Sequence, residues 1–347
     1  MYVTPYLCSM VIKNNVSLKP YNTFGVDARA RYFAEVKSVS DLTRALLFIN
    51  EEKVPFLVLG GGSNVLFKNN YDGMVLLNRM SGIEPVKETA SAVWLKVAGG
   101  EPWPDLVDYC VEQGLGGIEN LSNIPGTAGA APIQNIGAYG VEVKEVVEEV
   151  EVFDLQKGQI DILSNSQCEF AYRSSVFKTS ARGRCFILSV KFKLSKNPAI
   201  NLSYTPLKKM FEGRKVQSVS IKEVSAAVKQ IRKSKLPDPE KIGNAGSFFK
   251  NPVVSSGELQ NLLKKYGDMP YYPFGENSFK LAAGWLIEQC GLKGKRMGEA
   301  GVHEKQALVI VNYGHASGEE ILNLAMEIKQ TVKAEFGIEL EFEVNVV

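Results

Sequence analysis

The densest chemical signal in the chain is Gly60-Gly61-Gly62-Ser63-Asn64, which directly follows the apolar stretch Phe56-Leu-Val-Leu59. Consecutive backbone N–H groups without a Cβ beside them can wrap a phosphate or pyrophosphate. The run is not a Rossmann fingerprint, because Val65 stands where the third glycine is needed, and no P-loop sequence occurs elsewhere. A glycine-rich tight turn explains the run equally well. A second stretch, Ile124 to Gly140, is dense in Gly, Ala and Pro with Gln134 and Asn135 as its polar exceptions. It suits a backbone pressed against a flat ligand, or simple packing of small residues between elements. Two such cradles in succession point to one dinucleotide-sized ligand. Arg173, in Tyr172-Arg-Ser-Ser175, is the residue type for planar capture of a carboxylate or enolate, although lone arginines more often sit in surface ion pairs. Ser247 is one hydroxyl among glycines and aromatics; no nucleophile elbow surrounds it, which leaves proton delivery or an ordinary turn serine. Glu341 and Glu343, two apart in a β-like segment, are expected to face the same side.

What is scarce is equally informative. Only His303 and His315 occur among 347 residues, so multi-histidine metal sites are excluded and no metal site is expected. The five cysteines are scattered, odd in number and without a C-x-x-C pair, which points to a reducing compartment. Apolar residues at 45% and charged residues at 22% describe a soluble globular protein. Forty basic residues against 38 acidic give +2, which argues against a nucleic-acid partner. That balance hides segregation: residues 205–236 hold nine Lys or Arg and two Glu, whereas residues 141–170 hold eight acidic and two basic residues. The 22 uncharged residues from Asn120 to Val141 have the length of a membrane span, but their prolines, glycines and amides belong to loops. No signal peptide is expected at the N-terminus, so a cytoplasmic location is the default.

The elements that must carry these residues follow from periodicity. Strands are expected at Tyr32–Val36, Phe56–Leu59, Val65–Phe67 and Met74–Leu77, with a helix after Ser40 burying Leu42, Ala45, Leu46 and Ile49. A second unit has a strand at Val93–Ala98, a helix from Trp103 to Gln113, and β-like segments at Val146–Leu155 and Cys185–Leu194. Beyond it come a helix over Ser220–Lys235 stopped by Pro237, helices near 256–265 and 279–290, and a strand at Ala307–Val311. A capping box at Ser317-Gly-Glu-Glu320 opens a long helix, and a final strand is expected at Ile338–Val344.

In order along the chain, Leu59-Gly-Gly-Gly-Ser-Asn-Val-Leu66, Ile124-Pro-Gly126, Pro132-Ile-Gln-Asn-Ile-Gly-Ala-Tyr-Gly140, Tyr172-Arg-Ser-Ser175, Gly243-Asn-Ala-Gly-Ser-Phe-Phe-Lys-Asn-Pro252 and Leu340-Glu-Phe-Glu-Val344 resemble the UDP-N-acetylenolpyruvoylglucosamine reductase family of flavoenzymes. The resemblance implies an α+β fold: a two-subdomain FAD-binding unit of the vanillyl-alcohol-oxidase type followed by a C-terminal α+β substrate-binding domain. On this sequence that gives a leader at 1–19, FAD-binding subdomains at 20–85 and 86–200, and a substrate-binding domain at 201–347. It implies non-covalent FAD held by Leu59, Gly60, Gly61, Gly62, Ser63, Asn64, Ile124, Pro125, Gly126, Gly129, Ala130, Gln134, Gly137, Ala138 and Tyr139. The substrate would be UDP-N-acetylglucosamine enolpyruvate, covered by Tyr204 on an inserted loop and held through its diphosphate and sugar by Lys235, Asn251, Lys293 and Gln306. NADPH would supply the hydride, Arg173 and Glu343 would stabilise the enolate-like species, and Ser247 would deliver the proton. A monomer is expected. Asn345 stands where an arginine often follows the Glu-Val pair of the family.

Two other readings share the glycine cradles. A flavin oxidase would use oxygen in place of the enolpyruvyl acceptor; such enzymes often attach FAD through a histidine, and neither histidine lies near the cradles in sequence. A non-catalytic nucleotide-sugar sensor would not require Arg173, Ser247 and Glu343 together.

Overall fold

In the computed structural model, residues 10–347 are described; the first part of the expected leader, with Cys8, lies outside them. The polypeptide builds two compact units that do not follow sequence order. One takes the described residues up to Val16, Ala30–Gly61 and Asp72–Arg232; the other takes Ser17–Arg29, Gly62–Tyr71 and Lys233–Val347.

In the first unit, a four-stranded sheet runs in the order Lys13–Ser17, Arg29–Val36, Tyr71–Asn78, Phe56–Leu59. The last two strands are parallel, with Phe56 opposite Met74 and Leu59 opposite Leu77. Residues 13–17, expected as part of a loose leader, thus form an edge strand. Helix α1, Val39–Glu52, starts two residues before the position expected, because the Ser38 hydroxyl accepts from Asp41 N at 3.1 Å and is the true N-cap. Its Leu42, Ala45 and Ile49 pack on Ala34, Val36, Met74 and Leu76 of the sheet. A second, antiparallel sheet runs in the order Gln159–Ser164, Val147–Asp154, Cys185–Ser195, Ala92–Ala98, Ile83–Glu88. Against it lies α2, Trp103–Glu112, whose Trp103, Leu106, Val107 and Cys110 join Leu95, Val97, Val150 and Phe192 in a large core. Two further helices, α3 (Thr205–Met210) and α4 (Ile221–Lys235), close a smaller cluster of Leu207, Phe211, Val224, Val228 and Ile231.

The second unit has an antiparallel sheet in the order Gly243–Ser247, Val309–Asn312, Ala300–Val302, Arg296–Met297, and a three-stranded one in the order Val253–Ser255, Ser278–Leu281, Tyr271–Pro273. Helices α5 (Ser256–Lys265), α6 (Ala283–Gln289) and α7 (Gly318–Phe336) flank them. The Ser317–Glu320 capping box opens α7 as expected, and Gly337 at φ +69° ends it. Two expectations fail here. Residues 279–281, at the start of the helix expected near 279–290, belong instead to the strand Ser278–Leu281, since their backbone is claimed by partners on both sides. Residues 338–344 are largely irregular; the terminal strand is Asn345–Val346, running parallel to Val65–Leu66. Among the described residues, no helix is long and apolar enough to cross a membrane.

Candidate active site

The glycines of the first unit let neighbouring segments approach closely. A Cβ on Gly60 would stand 2.8 Å from Thr127 Oγ1, and one on Gly61 would stand 2.8 Å from Gly126 Cα. A Cβ on Gly129 would meet Gly99 O at 2.7 Å. The space they free is therefore filled by the Thr127 side chain at Gly60 and by neighbouring backbone at Gly61 and Gly129. The following small residues also bond to the chain itself: Ala128 N donates to Glu101 O at 2.8 Å, Gly129 N to Gly99 O at 2.9 Å, and Ala130 N and Ala131 N to Thr127 O at 3.0 and 3.1 Å. What the paired segments leave over is Thr127 Oγ1, buried and with no hydrogen-bond partner among the described residues. Leu59 is buried at the end of its strand, Ile124 packs on the large core, and Pro125 is exposed. Gln134, Gly137, Ala138 and Tyr139 are half-buried.

Arg173 sits on a tight turn. Ala171 N donates to Ser174 O at 3.0 Å and Ser174 N to Ala171 O at 3.2 Å, so Tyr172 and Arg173 form the corner, with Arg173 at φ +53°. That left-handed backbone is costly for a side chain with a Cβ and persists only where neighbours fix it. They do: Arg173 Nη2 donates to Gly137 O at 2.6 Å, its guanidinium lies 5.3 Å from the Tyr172 ring centre, and Ser175 Oγ donates to Ile133 O at 2.6 Å. Asn135, 0% exposed and itself at φ +45°, donates from Nδ2 to Ala171 O and to Glu142 Oε2, both at 3.0 Å, while its Oδ1 accepts from Lys144 N at 3.1 Å. Sequence reasoning noted Asn135 only as a polar exception; its role depends on residues brought in by the fold.

Beside this turn, Gly137–Ala138 and Val141–Glu142 pair as a hairpin whose two corner residues, Tyr139 and Gly140, lie at φ +52° and +85°. This is the primed-turn geometry usually reserved for Asn-Gly or Gly-Gly. The Tyr139 ring meets that of Tyr204 edge to face, with centres 5.1 Å apart. Tyr204 precedes α3 and is 41% exposed. Burial pushes the Tyr139 phenol above its ordinary range, and the Arg232 guanidinium hydrogen-bonded to it pulls the other way. Arg232 also donates from Nε to Asn123 O at 3.0 Å.

In the second unit, Ser247 ends its strand opposite Val309, after Gly246 at φ +70°. Phe248 O accepts from Glu343 N at 2.8 Å, which sets Glu343 across the backbone from Phe248, the residue after Ser247. Residues 341–343 pair locally with 248–250: Lys250 N donates to Glu341 O at 2.9 Å, Phe249 and Phe342 form an antiparallel bridge, Glu341 pairs with Lys250 at 2.8 Å, and Phe342 packs on Phe248 and Phe249. The remainder of the glycine run is anchored here. A Cβ on Gly62 would lie 1.9 Å from Tyr21 O; Asn64 Nδ2 donates to Glu343 O at 3.2 Å, and Asn345 Nδ2 donates to Asn64 O at 2.9 Å. Asn345, marked in the sequence only as a departure, thus ties Asn64 to the residues around Glu343.

The expected substrate contacts divide around α6. Asn251 Oδ1 accepts from Ala283 N at 3.0 Å, and Gln306 Oε1 lies 3.3 Å from where a Gly284 Cβ would be, so both sit at its first turn. Lys293, beyond its other end, pairs with Glu288 at 2.8 Å, and Lys235 is exposed at the end of α4. His303 is half-buried with Nδ1 unpartnered among the described residues, and burial pulls its imidazole below the ordinary value. Burial also pushes the Cys110 and Cys168 thiols up to about 12, so neither is a nucleophile.

Comparison with known proteins gives the chain a family. Residues 30–164 match the family model of an FAD binding domain, and residues 238–347 match that of the UDP-N-acetylenolpyruvoylglucosamine reductase C-terminal domain. The chain is similar to the UDP-N-acetylenolpyruvoylglucosamine reductases of Flavobacterium johnsoniae, 44% identical over 97% of this chain and 100% of that protein, and of Chromobacterium violaceum, 46% identical over 96% and 98%. The crystal structure of the Thermus caldophilus reductase shares 27% identity over 97% of this chain and 99% of that one, with a TM-score of 0.68. FAD fits what the first unit displays, where the buried Thr127 hydroxyl lies among closely packed glycine segments without a partner of its own.

Proposed function

The chain belongs to the UDP-N-acetylenolpyruvoylglucosamine reductase family, FAD-dependent oxidoreductases of peptidoglycan synthesis, and we propose that it reduces UDP-N-acetylglucosamine enolpyruvate to UDP-N-acetylmuramate with NADPH as hydride donor. The observation that best supports the detailed reading is the backbone bond from Glu343 N to Phe248 O, which brings the segment carrying Glu343 against the one carrying Ser247 although they are far apart in sequence. FAD, held by Leu59 to Asn64, Ile124 to Ala130 and Gln134 to Tyr139, would supply hydride-transfer chemistry between the nicotinamide and the enolpyruvyl group.

The chain's own residues then manage charge and protons. As the enolpyruvyl group is reduced, negative charge gathers on the carbon bearing the carboxylate. Arg173, with its planar fork and its turn fixed in advance, stabilises that charge, and Glu343 assists by hydrogen bonding to the substrate carboxylate. Ser247 hands its hydroxyl proton to the carbon; a weak acid suffices because the enolate carbon is strongly basic. Leu59 to Asn64, Ile124 to Ala130 and Gln134 to Tyr139 hold the FAD without a covalent bond. Tyr204 covers the sugar nucleotide, and Lys235, Asn251, Lys293 and Gln306 bind its diphosphate and sugar. Residues 20–85 and 86–200 serve cofactor binding and residues 201–347 substrate binding, in a cytoplasmic monomer.

The test is spectroscopic. The purified protein should be yellow, be bleached anaerobically by NADPH, and regain its flavin absorbance on addition of the enolpyruvyl sugar nucleotide. Recovery with oxygen alone would favour an oxidase; a protein that binds the sugar nucleotide and never reoxidises with it would be a sensor.

A further inference from the structure

We propose that Asn120 and Asn201 are positioning residues: two side-chain amides that clasp the strained Tyr139–Gly140 turn to the root of the Tyr204 segment and so set the affinity for the sugar nucleotide. The substrate part rests on the reading of Tyr204 as the residue that covers that ligand.

Asn120 is 1% exposed, on the short turn Glu119–Leu121. Its Nδ2 donates to two carbonyls from separate parts of the chain, Tyr139 O at 2.9 Å and Asn201 O at 3.0 Å. Asn201 answers from the other side, donating from Nδ2 to Gly140 O at 3.0 Å while its Oδ1 accepts from Ser203 N at 3.0 Å and Ser203 Oγ at 2.7 Å. Both corner carbonyls of the turn are thereby bonded to amides, and the residues leading to Tyr204 are folded onto the same point. The approach is close: a Cβ on Gly140 would stand 2.6 Å from Ser203 Oγ.

Two further features show why a clasp is needed here. Tyr139 holds a left-handed backbone that a tyrosine adopts only under constraint. Its ring, together with Ile200 and Leu202, packs on the Leu207–Phe211–Val228 cluster and meets the Tyr204 ring. The turn bearing Asn120 is in turn fixed to α4 by the buried Ser122 Oγ to Ser225 Oγ contact at 2.8 Å. Releasing either amide lets the turn relax and frees the segment from which Tyr204 projects.

The experiment uses the full-length FAD-loaded protein with Asn201→Ala, which is half-exposed and should fold, and Asn120→Ala. Hydrogen–deuterium exchange of the protein without substrate should quicken in residues 137–142 and 198–206 together; unchanged exchange in both segments of both variants overturns the clasp, whatever the enzyme's substrate. In stopped-flow reoxidation by the enolpyruvyl sugar nucleotide, the apparent Kd should rise about tenfold, the scale of one lost buried hydrogen bond, with a limiting rate within about twofold of the parent, as expected of a positioning role. Tyr204→Ala separates the two readings. Where it weakens binding and Asn201→Ala adds nothing further in its presence, the clasp acts through Tyr204. Where it weakens binding and Asn201→Ala still adds its full effect, or has none alone, the positioning role falls while Tyr204 keeps its own. Where Tyr204→Ala leaves the Kd unchanged, the covering role falls, and with it the clasp's effect on substrate.

Discussion

Arg173 and Ser247 are held by opposite means. Arg173, in the first unit, stands on a left-handed corner at φ +53° that exists because Gly137, Asn135 and Ser175 hold it from several directions. Ser247, in the second unit, ends a strand paired with Val309, and its neighbourhood is set by backbone bonds from Phe248 to Leu308 and from Glu343 to Phe248. A cation that must present a planar fork in one orientation needs a stiff, strained mount. A hydroxyl that must pass on a single proton can ride on a sheet and rotate about its own bond. The comparison makes the first locus sensitive to polar residues around it and the second sensitive chiefly to its own functional group.

The most severe effect is expected from the sheet-borne group. Ser247→Ala should slow reoxidation of the reduced flavin by substrate about 10³-fold, within the range for loss of a general acid, while reduction by NADPH stays fast; equal loss in both half-reactions would assign Ser247 to structure. Arg173→Lys should cost about 10²-fold in the same half-reaction, since an ammonium cannot reproduce the planar fork. A neutral outcome would mean that charge alone, without geometry, is what the turn supplies.

The supporting shell is tested next. Asn135→Ala removes both Nδ2 donations and the acceptor for Lys144 N, leaving buried polar groups unmatched. A loss of about 2 kcal/mol is expected, seen as a melting temperature lower by about 5 °C, and the substrate half-reaction should slow with it. If melting falls and the half-reaction is untouched, the mount is not what orients Arg173.

The smallest effect concerns pH. Burial, opposed by Glu304, holds the His303 imidazole below its ordinary value, so the unfolded chain takes up the proton more readily than the folded one. His303 therefore favours folding above the unfolded value near pH ~6.5, and that contribution fades as the pH falls through the lower folded value. Between pH 8 and pH 5 the parent should lose more melting temperature than His303→Gln; parallel curves would remove His303 from the balance.

Legibility in the sequence followed the range of the forces involved. Helix α7 was readable because its capping box and apolar stripe lie within its own residues, the strand at Phe56–Leu59 by a continuous apolar run, and Cys185–Ser195 by an apolar start that passes into apolar–polar alternation. Residues 338–344 alternate like a strand, yet Leu340 and Val344 are buried by tertiary packing and no partner pairs the segment in full. The candidate residues were legible by family motif, but their physical duties were not. Gly61 and Gly129 accommodate protein backbone and Gly60 the Thr127 side chain, a fact invisible without knowing where residues 99, 126 and 127 go. Nor could residue type predict left-handed backbone at Asn135, Tyr139 and Arg173, since neighbours remote in sequence impose it.

The interleaved division of the chain bears on its synthesis. Residues 17–29 and 62–71 emerge early from the ribosome, but they belong with residues 233–347. Val65–Leu66 waits for Asn345–Val346 as its strand partner, and Asn64 O waits for an amide 281 residues further along. At translation speeds of roughly 5–20 residues per second, the glycine-run residues of this unit spend many seconds without the contacts that fix them. The half-built protein must carry these early segments without their late partners until residues 345–346 arrive, so this unit is expected to mature late in synthesis or after it.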